Sequence, residues 1–325
     1  MSHHIVFLDN EGIAPSVSIP QLPFPHTWDS YEYTSPDEVV ERLKDATIAM
    51  TCSVPLRAEQ LRQLPKLKMI SLALTGTDIV DLDYCHEHGI VVANVPGYAS
   101  NTVAEHTIAM MFELLRKTSS YHRLMQKLRR GEATRKNIYF DFRIRDVAGK
   151  TLGIVGNGAI ARRLAELARN LDMQVCLYDN NGKYQGEEYM PLAQLLKRSD
   201  VLSLHVPLTD DTRDIIGAAE LGQMKPDAIV INTARGGIVN EAALIDALQN
   251  ETIGGAALDV LVNEPIDPQD PIFQLIDRDN FILNPHVAWS SVDAMQGLID
   301  KALDNIAQFV DGRAPRFVIQ KKVCA

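Results

Sequence analysis

The chain has 325 residues, enough for about two domains of ordinary size, each with a core of its own. With 46% hydrophobic residues and a net charge of −10, from 32 Lys and Arg against 42 Asp and Glu, a globular fold is expected. A nucleic-acid or anionic membrane partner is disfavoured.

The four cysteines, Cys52, Cys85, Cys176 and Cys324, show no C-x-x-C spacing, which suits reduced thiols and speaks against structural zinc. No apolar run approaches the roughly 20 residues that span a bilayer. The start, MSHHIVFLDN, enters a strand-like run with no signal pattern, so a cytoplasmic protein is expected.

In chain order, short β-branched runs alternate with helical periodicity, the pattern of a parallel α/β protein. Strands are predicted at 5–10, 47–52, 68–75 and 90–96, with amphipathic helices at 36–44 and 57–64. A helix over 101–117 carries a second apolar face, more than one small core absorbs, and is expected to serve an interface.

From Thr151 a second series of strands follows: TLGIV, QVCLYD, VLSLHVP, AIVINTA, GGAALDV and FILNPHV. The helix EAALIDALQ lies among them. A last helix at 292–312 is not needed to close this sheet and is expected to cross back to the first domain. The expectation is therefore two doubly wound parallel-sheet domains. One is a Rossmann-type cofactor domain at 101–287, and the other a discontinuous flavodoxin-like substrate domain at 1–100 and 288–325.

The stretch 151–179, TLGIVGNGAIARRLAELARNLDMQVCLYD, is the most informative. It reads as strand, glycine turn, helix, strand and terminal acid, the frame of a dinucleotide site. Gly156 makes the tight turn, and Gly158 admits a pyrophosphate close to the backbone. The helix opening at Ala159 and Ile160 aims N–H groups at phosphate, and Asp179 lies where a ribose hydroxyl needs an acceptor.

Three further segments fall at or just after predicted strand ends, where ligands bind in open α/β sheets. Arg235, in TARGG, can pair with a substrate carboxylate or grip a ketone oxygen. His286, in NPHVAW, carries an imidazole, the side chain suited to deliver the proton that carbonyl reduction needs. Glu264, in VNEP, can orient it and favour its protonated form. His86 and His88 lack an evident third ligand, so no metal site is expected. His205 either lines the cofactor pocket or packs, and His106 is expected to be an interface or core residue.

With those motifs in order, the chain resembles the D-isomer-specific 2-hydroxyacid dehydrogenases over nearly its whole length. VGNGAIA with Asp179, HVPLTDDT, NTARGGIVNEAAL, GAALDVLVNEP and NPHVAW are similar to five successive family motifs. The resemblance implies that Arg235 binds the substrate carboxylate and carbonyl, that His286 is the acid/base, and that Glu264 pairs with it. It implies NAD as cofactor, with His205, Val206, Pro207 and Thr212 at its site. Thr233 and Ala234 would line the nicotinamide pocket, and Asp259 would contact the carboxamide.

Within the family, ALTGTDIVDLD, NVPGYASNTVAEHT and PHVAW are similar to glycerate dehydrogenases, also called hydroxypyruvate reductases. On that likeness Leu74, Thr75 and Gly76 receive the substrate carboxylate through backbone amides, and Trp289 walls the pocket. A small 2-oxo or 2-hydroxy acid is the expected partner, in a homodimer. The alternatives are another small 2-oxo acid reductase, of D-lactate or 2-oxoisocaproate type, or a dinucleotide-sensing corepressor-like protein. Ala161 stands for the third family glycine, and Ala159 stands where many relatives carry arginine.

Overall fold

The computed structural model describes residues 3–179, 183 and 186–315; Cys324 lies outside them. The chain divides into two compact units, Met1–Ala99 with Ser290–Ala325, and Ser100–Trp289.

The first unit holds a parallel sheet of β1 (His3–Phe7), β2 (His26–Ser30), β3 (Ile48–Thr51), β4 (Met69–Leu72) and β5 (Val91–Ala93). The order is β2-β1-β3-β4-β5, the flavodoxin-like winding. Strands β3 and β4 are buried along their whole length, which is why they read as unbroken apolar runs. β2, HTWDS, was not predicted, because an edge strand with mostly polar side chains carries neither an apolar run nor a clean alternation.

The expected helices at 36–44 and 57–64 shrink to Val39–Leu43 and Ala58–Leu61, and Leu82–Glu87 adds an unpredicted turn capped by Asp81. The 19-residue helix Val292–Val310 opens on a Ser291 cap. It buries Leu298, Ile299, Ala302 and Ile306, and the Ser71 hydroxyl of β4 donates to the Ala302 carbonyl at 3.0 Å. The last helix thus packs within the first unit.

The second unit contains the six predicted strands: β6 (Thr151–Val155), β7 (Gln174–Tyr178), β8 (Val201–Leu204), β9 (Ile229–Asn232), β10 (Gly255–Leu258) and β11 (Phe281–Leu283). All pair in parallel, in the order β11-β10-β9-β8-β6-β7. A single parallel bridge from Leu177 to Tyr189 on the outer side of β7 stands where the third strand of a Rossmann sheet belongs. The winding reverses between β6 and β8, so the loops leaving those strands flank the switch point where such sheets take their ligand.

Cores lie on both faces of this sheet. Leu195, Leu196, Leu221, Leu244 and Leu248 fill one, and Met110, Met111, Leu114, Leu164 and Ala168 the other. The helix Ser100–Arg116 was expected to leave an apolar face over. Instead Ile108 and Phe112 pack on the same core as its buried residues, and helix Ala159–Asn170 lies alongside. The surplus apolar surface falls just after it, at Met125 in the unpredicted helix Thr118–Arg129 and at Ile138, Phe140 and Ile144 beyond. Phe140 is 87% exposed. Among the described residues no helix is long and apolar enough to cross a membrane.

Candidate active site

The glycine turn after β6 is shaped by close approach. Gly156 sits at φ +108°, and a Cβ there would lie 2.3 Å from the His205 carbonyl oxygen at the end of β8. Only glycine fits. Gly158 has open space where its Cβ would stand, and it caps helix Ala159–Asn170 without a side chain. The first amides of a 12-residue helix, those of Ala159 and Ile160 included, are therefore left to an external acceptor. Arg162 folds back to donate to the Asn157 carbonyl at 3.2 Å. Asp179, just past β7, accepts the Lys183 amide at 2.6 Å.

These features fit a dinucleotide, with the pyrophosphate on the open helix end and the ribose at Asp179. Across the switch point, His205 is half-buried, its Nε2 paired with the Ser203 hydroxyl at 2.8 Å and its buried Nδ1 without a hydrogen-bond partner. Burial pushes its pKa down to about 4, so the ring is neutral at physiological pH. Val206 is buried. Thr212 is fully buried, and its hydroxyl donates to the Pro207 carbonyl at 2.6 Å, so it shapes this loop from within.

Arg235 follows β9 and is exposed. Its loop is held by Asn232, whose side chain accepts the Ala234 amide at 3.0 Å and donates to the Arg235 carbonyl at 2.8 Å. Thr233 is buried, with its hydroxyl 3.1 Å from that of Thr107. A Cβ on Gly236 would lie 2.0 Å from the Leu261 carbonyl group, so the Arg235 loop runs against the loop after β10. That second loop carries Glu264.

Glu264 is fixed from two sides. Its Oε1 accepts the Leu261 amide at 3.0 Å, and its Oε2 lies 2.7 Å from His286 Nδ1. Burial alone would raise its pKa, but the hydrogen bonds from His286 and Leu261 and the charges of His286 and Arg235 hold it below the ordinary carboxylate value. Glu241, at the start of helix Glu241–Gln249, steadies the same loop by accepting the Val262 amide at 2.7 Å.

His286 sits at φ +55°, in the left-handed region that disfavours side chains. Asp259 holds it there. The His286 amide donates to the Asp259 carbonyl at 2.7 Å, and the Val287 and Ala288 amides donate to the two carboxylate oxygens, each at 2.9 Å. The Asp259 side chain is wholly buried. The structure gives it the task of shaping the histidine turn, beside the contact with the nicotinamide carboxamide that the resemblance implies. His106 lies beside it, 3.8 Å from its carboxylate and 3.0 Å from the Asn284 side chain, so its place is under this turn.

The second unit thus brings Arg235, Glu264 and His286 onto neighbouring loops, with half-buried Trp289 three residues after the histidine. In the first unit Leu74, Thr75 and Gly76 leave the carboxyl end of β4. Sequence reasoning passed over Asn232, Glu241 and Asn284. Their one signal is position, since each is a polar residue at the end of a buried strand or the start of a helix, where loop amides need partners. His88 stacks on Tyr84 with ring centroids 3.9 Å apart and its Nδ1 on the Tyr84 carbonyl.

Residues 108–288 match the model of the D-isomer specific 2-hydroxyacid dehydrogenase, NAD binding domain. The chain belongs to the D-isomer-specific 2-hydroxyacid dehydrogenase family. It is a nicotinamide-dinucleotide-dependent oxidoreductase acting on small 2-hydroxy and 2-oxo acids. It is 46% identical to the glycerate dehydrogenase of Methylorubrum extorquens, over 98% of this chain and all of that one. To the hydroxypyruvate reductase of Blautia hydrogenotrophica it is 31% identical, over 90% of this chain and 91% of the relative. The solved D-lactate dehydrogenase with NAD+ from Lactobacillus jensenii superposes with a TM-score of 0.81 at 26% identity, covering 98% of this chain and all of the other.

Proposed function

We propose that this dehydrogenase interconverts hydroxypyruvate and D-glycerate and uses NAD rather than NADP. The observation that carries the chemistry is the 2.7 Å bond between Glu264 and His286, on a loop pressed against that of Arg235. The likeness to a glycerate dehydrogenase at 46% identity supports the substrate.

The bound dinucleotide supplies the hydride. Every other part falls to the chain. Glu264 occupies Nδ1 of His286, so the proton reaches the substrate carbonyl oxygen from Nε2 and returns there in the oxidation direction. The carboxylate opposite also stabilises the imidazolium. Arg235 pairs with the substrate carboxylate and polarises the carbonyl. The family likeness gives the amides of Leu74, Thr75 and Gly76 the part of receiving a substrate carboxylate. Asp179 accepts from a ribose 2′-hydroxyl and repels a 2′-phosphate, which favours NAD.

The test is steady-state reduction of hydroxypyruvate, glyoxylate, pyruvate and 2-oxoisocaproate with NADH and with NADPH. Hydroxypyruvate with NADH is expected to give the highest kcat/KM. A clear preference for NADPH overturns the role of Asp179, and a preference for pyruvate or 2-oxoisocaproate overturns the substrate.

The exposed Ile138, Phe140 and Ile144, three large apolar side chains within seven residues of sequence, support a homodimer through the second unit. Light scattering is expected to give twice the 36.1 kDa chain mass. A monomer mass removes this proposal.

A further inference from the structure

The motif NVPGYASN begins with a residue to which neither the chemistry nor the cofactor gives a task. Asn94 lies just past β5, beside the loop that leaves β4, and the two loops are clasped by three hydrogen bonds. The Asn94 side-chain amide donates to the Thr75 carbonyl at 2.7 Å. The Thr75 hydroxyl donates to the Val95 carbonyl at 3.0 Å, and the Val95 amide donates to the Leu74 carbonyl at 3.0 Å. Behind them the buried Asn305 of helix Val292–Val310 donates to the Asn94 carbonyl at 3.2 Å, which fixes Asn94 to the unit's long helix.

This clasp has a directional consequence. In a trans peptide the C=O and the following N–H point opposite ways, and among the described residues the one cis bond is Glu264–Pro265. Drawing the Thr75 carbonyl onto Asn94 therefore turns the Gly76 N–H away from the β5 side. Drawing the Leu74 carbonyl onto Val95 does the same for the Thr75 N–H. Neither amide has a hydrogen-bond partner among the described residues, and with Thr75 exposed and Gly76 half-buried both are open to a ligand. Two adjacent donors turned outward in parallel make a small anion seat, and its aim depends on a side chain 19 residues away.

The geometry points to Asn94 as a positioning residue that aims the Thr75 and Gly76 amides at the substrate carboxylate. This rests on the reading above that those amides receive it. Asn94 touches no reacting atom. It acts on carboxylate capture and leaves hydride and proton transfer alone.

The experiment compares wild type with Asn94→Ala on hydroxypyruvate and on its neutral methyl ester, together with NADH binding and thermal melting. Asn94→Ala is expected to raise KM for the acid about tenfold, the effect of one well-placed hydrogen bond, and to leave kcat within about twofold. The preference for acid over ester should fall by the same factor, with NADH affinity unchanged. Thr75→Val, which removes only the bond to Val95, should shift the same ratio by a smaller factor, and it supplies the readout if Asn94→Ala does not fold.

An unchanged acid-to-ester ratio in a folded variant overturns the proposal. So does a loss shared equally by both substrates with a lowered melting temperature, which is the mark of a merely structural residue. A wild-type enzyme that turns over acid and ester equally well refutes instead the carboxylate seat itself.

Discussion

Asp259 holds His286 in a left-handed backbone conformation through three successive amides, one on its carbonyl and two on its carboxylate. The Glu264 bond then fixes the ring, so backbone and side chain of the histidine are set by two different acids. Asp259→Asn keeps one acceptor oxygen but turns an NH2 toward the amide of Val287 or Ala288. Leaving a buried donor unpaired costs about 1–3 kcal/mol. The variant is expected to melt at lower temperature and to lose kcat more than NADH affinity. Calorimetry with steady-state kinetics checks this.

Glu264→Gln removes the negative charge beside the imidazole. The pH profile of reduction is expected to move toward acid, because the proton donor is then kept only at lower pH. Stability responds with the opposite sense of pH. The folded-state pKa of Glu264 is depressed, so its contribution is present above the ordinary carboxylate pKa and is lost as pH falls through the folded value. Wild type should therefore lose more melting temperature than Glu264→Gln on acidification below about pH 4.5, the unperturbed carboxylate range.

The two glycines of the dinucleotide turn should separate. Gly156→Ala drives a Cβ to 2.3 Å from a backbone oxygen at positive φ, and is expected to lower both melting temperature and NADH affinity. Gly158→Ala meets nothing within the protein, so its melting temperature should stay near wild type while NADH binding weakens. Fluorescence titration with NADH, beside a melt of each variant, reads both.

His205 predicts an acid instability. Its folded pKa of about 4 lies below that of an unfolded histidine, so the unfolded state binds more protons between those values. Stability is expected to fall as pH drops from about 6.5 toward 4. His205→Gln, which has no proton to gain, should show a flatter melting curve against pH across that window. Equal slopes would dismiss the His205 imidazole as its cause.

The second unit was legible because its four central strands are buried along their length and its glycines answer to steric demands that a sequence records. All six of its strands and the helix Glu241–Gln249 were foreseen, and the Arg235, Glu264 and His286 loops lie side by side. Less was legible where structure depends on a partner distant in sequence. β2 is a strand only because β1 pairs with it, and Asn232, Glu241 and Asn94 act through loop amides that no periodicity marks. Asp259 shows the limit of a motif, since ALDV announces an important acid but not that both oxygens are turned inward to the histidine turn.

The most direct test of the chemistry is NADH consumption with saturating hydroxypyruvate at neutral pH, by wild type and His286→Ala. The wild-type protein is expected to turn over steadily, and the variant to be slower by at least about a hundredfold with NADH affinity retained. Equal rates for the two proteins would contradict the assignment of His286 as the proton donor.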